Sequence, residues 1–231
     1  MKKQTALKQT PREYKPTAEQ VLAALNEGNR RFYENRPRHP RTGPLRRRLA
    51  HYADQAEHAL ATVLACSDSR VPVERVFDAG IMDLFVVRVA GNVVSQDTAA
   101  SLEYGVLHVH TPLVVVLGHT GCGAVTAAWK RRGQGKDGQD PNIAGLLEYI
   151  EPALDRLPLP FPGSSEEEQI TAAVEENVWQ SLAELGRLSP EVLRAQQEGR
   201  VTAMGAVYHL ADGRVRWLDR RRSQEALQGR P

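Results

Sequence analysis

The stretch Leu113-Val-Val-Val-Leu117-Gly118-His119-Thr120-Gly121-Cys122-Gly123 decides the fold. An apolar run of valine and leucine without polar alternation reads as a strand buried on both faces, as parallel strands under helices are. Its carboxyl end passes straight into a histidine, a glycine turn and a cysteine. Two further runs, Leu60–Ala65 and Leu84–Val89, have the same character, and the first also ends on a cysteine, Cys66. Between them lie Val73–Phe77 and Thr98–His110, the latter helical by the spacing of Ala99, Leu102, Val106 and Leu107. Gly121 to Arg132 opens the next helix. Strands alternating with helices predict an α/β fold: a mostly parallel central sheet flanked by helices.

Working outward, residues 1–16 read as a flexible N-terminal arm. Thr17-Ala-Glu-Gln20 fits a capping box, and Val21, Leu22, Leu25 and Phe32 follow at helical spacing until Pro37. The arginine- and proline-rich segment 36–55 is a connector or a partly helical wrap. Beyond the core, Gly133–Asn142 reads as a surface loop, Asn142–Ile150 as a helix and Leu157–Gly163 as a hinge. Ser165-Glu-Glu-Glu168 is a second capping box, ahead of a long helix through Ile170, Val174, Val178 and Leu182. Ser189-Pro190 starts another helix, and Val201–Tyr208 with Arg214–Leu218 form a hairpin. The expected organisation is one metal-binding domain, 17–219, followed by a C-terminal tail, 220–231.

A chain of 231 residues, 41% hydrophobic, can bury one sizeable core. A net charge of +2 gives no reason to expect nucleic acid, and the runs Arg46–Arg48, Lys130–Arg132 and Arg220–Arg222 read as solvated surface. Two cysteines do not make a disulfide scaffold. A single Cys66–Cys122 bridge is conceivable on spacing but leaves His119, Asp68 and Arg70 without a role. Met1–Pro16 lacks the apolar core of a secretory signal, and no apolar run reaches the ~18 residues of a membrane span. The reducing cytoplasm is the expected compartment, with no membrane partner.

The chemistry is concentrated in Cys66-Ser-Asp68-Ser-Arg70 and His119-Thr-Gly-Cys122-Gly123. Two thiolates and an imidazole are the ligands of a catalytic zinc with one open position. Cys66 and His119 end two strands, and in open α/β sheets sites form beyond the carboxyl ends of strands. Such a zinc carries no net charge, so it acidifies bound water less than a three-histidine site would, and activity is expected to climb above neutral pH. Asp68 has two possible jobs: accepting a hydrogen bond from zinc-bound hydroxide, or ligating the metal and closing the site. Arg70 can hold it away from the metal through a bidentate pair; an ordinary loop salt bridge is the plainer alternative. His108 and His110, two apart on one helix, cannot face one metal together and read as packing or surface residues, or as a proton relay.

On these residues the chain resembles the β-class carbonic anhydrases. The resemblance is carried by Ala65-Cys66-Ser-Asp68-Ser-Arg70-Val, Asp83-Leu-Phe-Val-Val-Arg88-Val-Ala90-Gly91-Asn92, Glu103-Tyr104 and Gly118-His119-Thr-Gly-Cys122-Gly123-Ala, and spans roughly residues 18–218. It implies one Zn2+ per subunit held by Cys66, His119 and Cys122, with Asp68 joining only in a closed form, and an Asp68–Arg70 catalytic dyad. It implies reversible hydration of carbon dioxide to bicarbonate and a proton, in a homodimer, often a homotetramer, whose N-terminal helical arm wraps the partner. The substrate pocket would be lined across the dimer interface by Phe85, Ala90 and Tyr104, with the Gly123 amide orienting substrate. Gln55, rather than Glu57, is read as the substrate-binding glutamine. Met82 stands where many relatives have glycine, which puts a reshaped turn in view. Val63 and Ala65 replace the tryptophan and glycine of bicarbonate-inhibited members, so the open form is expected. Relatives with the same ligands hydrolyse carbonyl sulfide or carbon disulfide, the alternative activity. A non-catalytic zinc-binding regulatory protein is the reading from another class, and it leaves Asp68 and Arg70 unused.

Overall fold

The computed structural model describes residues 15–38, 42–134, 140–157 and 163–229. Strands β1 (Ala61–Ala65), β2 (Leu84–Arg88), β3 (Leu113–His119), β4 (Thr202–Tyr208) and β5 (Val215–Trp217) form one sheet in the order β2-β1-β3-β4-β5. The pairs β2–β1, β1–β3 and β3–β4 are parallel, and β4–β5 is the antiparallel hairpin. Ala65 lies opposite both Arg88 and Leu117. The carboxyl ends of β1 and β3, which lead into Cys66 and His119, are therefore neighbours.

Helices α1 (Ala18–Tyr33), α2 (Pro44–Tyr52), α3 (Val73–Val76), α4 (Gln96–Leu107), α5 (Gly123–Gln134), α6 (Pro141–Glu148), α7 (Glu151–Asp155), α8 (Glu166–Leu188), α9 (Pro190–Gln197) and α10 (Arg220–Leu227) surround the sheet. One sheet face puts Leu64, Val114, Val116, Ala203 and Val207 against residues of α4, α8 and α10. The other puts Val63, Ala65, Val115, Leu117 and Met204 against Val21 and Leu25 of α1 and Val73 and Val76 of α3. The uninterrupted apolar runs of β1 and β3 follow from this double cover. β2 departs from it: as the edge strand, its Leu84–Val87 are only half-buried.

Both capping boxes form. Thr17 Oγ1 accepts from the Gln20 amide and Gln20 Oε1 from the Thr17 amide, and Ser165 and Glu168 exchange the same bonds at the start of the 23-residue α8. α1 packs its apolar face on its own chain, where the buried Asn29 donates to the Val76 and Gly213 carbonyls and accepts from the Val215 amide. Its amphipathic pattern is thus satisfied within one chain. Of the N-terminal arm, residues 1–14 lie outside the described residues. Lys15 is fixed: Nζ donates to the carbonyls of Ala59 at 2.9 Å and Val109 at 2.6 Å, and burial lowers its pKa to about 8.

Several expectations are corrected. The helix read as Thr98–His110 starts earlier, where Ser95 caps it, and stops at Leu107; His110, at φ 56°, has left it. The basic runs are not uniformly solvated: Arg46 pairs with Asp83 at 2.7 Å and donates to the Ile81 carbonyl, and Arg131 is buried against Glu151 and the Ala144 carbonyl. The turn at Met82 keeps a glycine-like conformation, with Met82 itself at φ 71°, at a backbone cost of about 1–2 kcal/mol. The hinge 157–163 lies mostly outside the described residues.

Residues 220–227 are a helix packed into the domain, not a tail. Ser223, Ala226 and Leu227 are buried, and Ser223 Oγ accepts from the Gly205 amide of β4 at 3.1 Å. α10 comes so close to α8 that a Cβ on Gly186 would lie 1.8 Å from the Leu227 carbonyl oxygen. Re-exposing a leucine costs about 2 kcal/mol and orphaning a buried N–H about 1–3 kcal/mol. A variant lacking residues 220–231 should therefore lose about 3–5 kcal/mol in urea unfolding; a free energy equal to that of the full chain would show α10 to be dispensable.

Candidate metal centre

Cys66 follows β1 directly, His119 is the last residue of β3, and Cys122 immediately precedes α5. Gly121, at φ 63°, makes the turn that brings Cys122 back beside His119. Three ligand atoms, one from each side chain, lie within 4.8 Å of one another, and all three residues are buried. The two Sγ atoms are 3.9 Å apart. Sulfurs at about 2.3 Å from a tetrahedral zinc stand about 3.8 Å apart, so the spacing fits.

The imidazole supports the same reading. His119 Nδ1 donates to the Thr120 carbonyl at 3.1 Å, which leaves Nε2 as the bare acceptor. That nitrogen is buried and has no hydrogen-bond partner among the described residues. A cation held with the two sulfurs would satisfy it.

The thiols divide their charge unequally. Cys66 is driven toward thiolate first by a hydrogen bond from Cys122, then by His119 and by the amides of Asp68 and Gly91, at 3.4 and 3.3 Å, with burial opposing. Cys122 is pushed up by that same hydrogen bond, by burial and by the charge on Cys66. A divalent cation bound between the sulfurs would offset the charge part of the second shift.

Asp68 stands beside the cluster, Oδ2 3.9 Å from His119 Nε2. Arg70 grips it twice, Nε to Oδ1 at 3.0 Å and Nη2 to Oδ2 at 2.7 Å, while the Arg70 amide also donates to Oδ1. The same Nη2 reaches the Gly121 carbonyl at 3.1 Å, tying the first motif to the second. These bonds, that from the guanidinium first, hold the Asp68 carboxyl well below the usual carboxylate range.

Ala90 and Gly123 lie alongside: Ala90 opens the 3₁₀ turn Ala90–Asn92, and Gly123 starts α5. Gln55, Phe85 and Tyr104 do not join them within one chain. Phe85 pairs with Thr62, four residues short of the level of Cys66, or about 13 Å along the strand. Tyr104, 48% exposed, stacks on Phe85 at 6.0 Å and meets His108 at 4.9 Å, forming an aromatic patch on the β2 edge. Gln55 is exposed in the 3₁₀ turn before β1, at the opposite end of the sheet. A cavity of about 1060 Å3 between Lys15, His58, Arg200 and Arg220 also opens at that far end and contains none of the ligands.

Three supports of the site had no role in the sequence reading. Arg88 donates from Nε to the Cys66 carbonyl at 3.1 Å and from Nη2 to the Asp68 carbonyl at 2.6 Å, fixing the loop between them. Asn177 Nδ2 donates to the Gly91 carbonyl and Ser181 Oγ to the Asn92 carbonyl. A signal existed for the last two: they are polar residues inside the stripe Val174, Val178, Leu182, Leu185.

A buried Cys-His-Cys cluster, fit for a metal and flanked by an ionised carboxylate at the carboxyl end of a parallel sheet, defines a metalloenzyme of the α/β class. The carbonic anhydrase family model matches residues 61–215. A carbonic anhydrase of Mycolicibacterium smegmatis is 36% identical over 204 residues, covering 87% of this chain and 94% of its own. Carbonic anhydrase 2 of Mycobacterium tuberculosis is 35% identical over 196 residues, 83% of this chain and 88% of its own. The crystal structure of the β-carbonic anhydrase CafA of Aspergillus fumigatus superposes with a TM-score of 0.63 at 28% identity, covering 91% of this chain and 95% of that one. The chain belongs to the β-carbonic anhydrase family, and it is an enzyme of that activity.

Proposed function

We propose that the metal is zinc, one ion per subunit, held by Cys66, His119 and Cys122, and that the reaction is the reversible hydration of carbon dioxide with Asp68 and Arg70 as the catalytic dyad. The observation carrying this reading is the buried His119 Nε2, without a hydrogen-bond partner among the described residues and 3.9 Å from Asp68, in a cluster whose three ligand atoms lie within 4.8 Å of one another. Zinc bound there supplies Lewis acidity that makes water nucleophilic, blunted by two thiolates so that the rise in activity falls above neutral pH. Asp68, ionised and pinned by Arg70, presents a carboxylate acceptor to the open side of the cluster and orients a proton-bearing nucleophile there. The pairing of Asp68 with Arg70 supports the open form. The Gly123 amide and Ala90 border the position where substrate would lie.

In this reading Gln55, Phe85 and Tyr104 serve a partner subunit's site, so the enzyme is a homodimer, with a homotetramer as the larger assembly. The half-buried β2 edge supports this, as does α2, where Leu45 and Tyr52 are each 80% exposed on the side that also carries Leu49. The cytoplasm is the proposed compartment, supported by two unbridged cysteines; among the described residues no helix is long and apolar enough to cross a membrane.

Stopped-flow hydration of carbon dioxide between about pH 6 and about pH 9, before and after chelation, tests the proposal. Activity should climb through this range, vanish with the metal and return with zinc. A flat profile, or activity that survives chelation, refutes it. Carbonyl sulfide and carbon disulfide assayed alongside should turn over more slowly than carbon dioxide.

A further inference from the structure

The turn Ala90–Asn92 is an unusual piece of backbone: Gly91 at φ 69° and Asn92 at φ 45° are consecutive left-handed residues. It leaves the Gly91 N–H aimed at Cys66 Sγ, 3.3 Å away. Glycine and asparagine adopt this conformation at least cost, and the Asn92 amide donates locally to the Val89 carbonyl at 3.0 Å. Even a Cβ on Gly91 would lie 2.9 Å from Ile150 Cδ1 and 3.1 Å from the Ala124 Cβ, so the turn is wedged against α5 and the start of α7.

The carbonyls of the turn are held by α8. Asn177 Nδ2 donates to the Gly91 carbonyl at 2.8 Å and Ser181 Oγ to the Asn92 carbonyl at 2.9 Å. The two residues are 1% and 2% exposed and stand one helical turn apart, as a single face requires. The same helix presses on the strand that carries the histidine. A Cβ on Gly118 would lie 2.7 Å from Val178 Cγ2, so only glycine lets α8 close on β3 one residue before His119. One helix thus braces both the donor to Cys66 and the backbone of His119.

We infer that Asn177 and Ser181 are positioning residues for the metal centre: by pinning the Gly91 and Asn92 carbonyls they keep the Gly91 N–H on the sulfur of Cys66. The inference rests on the reading of Cys66 as a zinc ligand. Hydrogen bonds to a ligand tune its donor strength, and losing such support weakens metal binding by about 10–100-fold. Since these two residues act through the turn, the lower end applies.

The test uses the full chain and three variants, Ser181→Ala, Asn177→Ala and, as a stability reference on the other sheet face, Leu25→Ala. Each is loaded with Co2+, and zinc affinity is measured by chelator competition. In Ser181→Ala and Asn177→Ala the sulfur-to-cobalt charge-transfer band should move to longer wavelength, because a thiolate with a weaker hydrogen bond gives up electrons more readily. Zinc affinity should fall about tenfold. Leu25→Ala should unfold more easily and keep the parent band and affinity. If Ser181→Ala keeps both as well, the inference is overturned, whether or not Asn177→Ala folds. If the unaltered chain shows no sulfur-to-cobalt band, the reading of the metal site itself fails and takes the inference with it.

Discussion

Replacing Cys66 by serine should remove the metal and the activity together. A serine hydroxyl does not ionise near neutral pH, so the variant offers zinc one thiolate, one imidazole and, in place of the second thiolate, only a neutral hydroxyl, a poor ligand. The free energy of a bound structural zinc is about 10–16 kcal/mol over four ligands, so one ligand carries about 3–4 kcal/mol, or about 10²–10³ in affinity. Turnover should fall by at least that factor. The side chain is small and its strand is held by neighbours on both sides, so the fold should survive. Zinc content after gel filtration and the hydration rate of the same sample check the point. A zinc-free variant with the parent's rate, or a zinc-replete one, would remove Cys66 from the site.

Asp68→Asn should separate metal binding from turnover. The amide keeps the shape of the carboxylate but loses the charge that Arg70 grips and one of its two acceptor oxygens. Groups that hold or move protons at a reacting centre are worth about 10²–10⁴ in rate, so kcat should drop by at least about 10²-fold with zinc content unchanged. Had Asp68 been a fourth ligand in the working enzyme, zinc affinity would fall with it. The pH dependence has a definite sign. A carboxyl held below its ordinary pKa of about 3.9 is charged at every pH above that value, and its contribution is lost only as pH falls through the lowered one. Asp68 therefore adds no acid limb near neutrality.

Much of this was legible in the residues themselves. The Val/Leu runs before Cys66 and His119 placed both at strand ends, because such runs fit a covered parallel sheet, while the adjacency of the two strands came only with the sheet order. The capping boxes marked two helices to the residue, since the bonds they make are local. What stayed hidden depends on distant partners. α10 reads as a tail because Arg220, Arg221 and Arg222 dominate its composition, whereas its docking rests on Ser223, Ala226 and Leu227. Arg46 looks solvated until Asp83 is found beside it. Met82 gives no sign in one sequence that it will accept a left-handed backbone. The assignment of Gln55, Phe85 and Tyr104 to a substrate pocket depends on a second copy of the chain.

The register of β1 on β3 has a bearing on how the holoenzyme is made. Ala65 and Leu117 are joined by the ladder, so the backbone on which Cys66 and His119 sit is shaped by strand pairing. Small zinc modules differ, since their polypeptide stays unfolded until the cation is captured. Here the five-stranded sheet supplies a core of its own, so stripping the cation with a chelator is expected to leave the architecture standing.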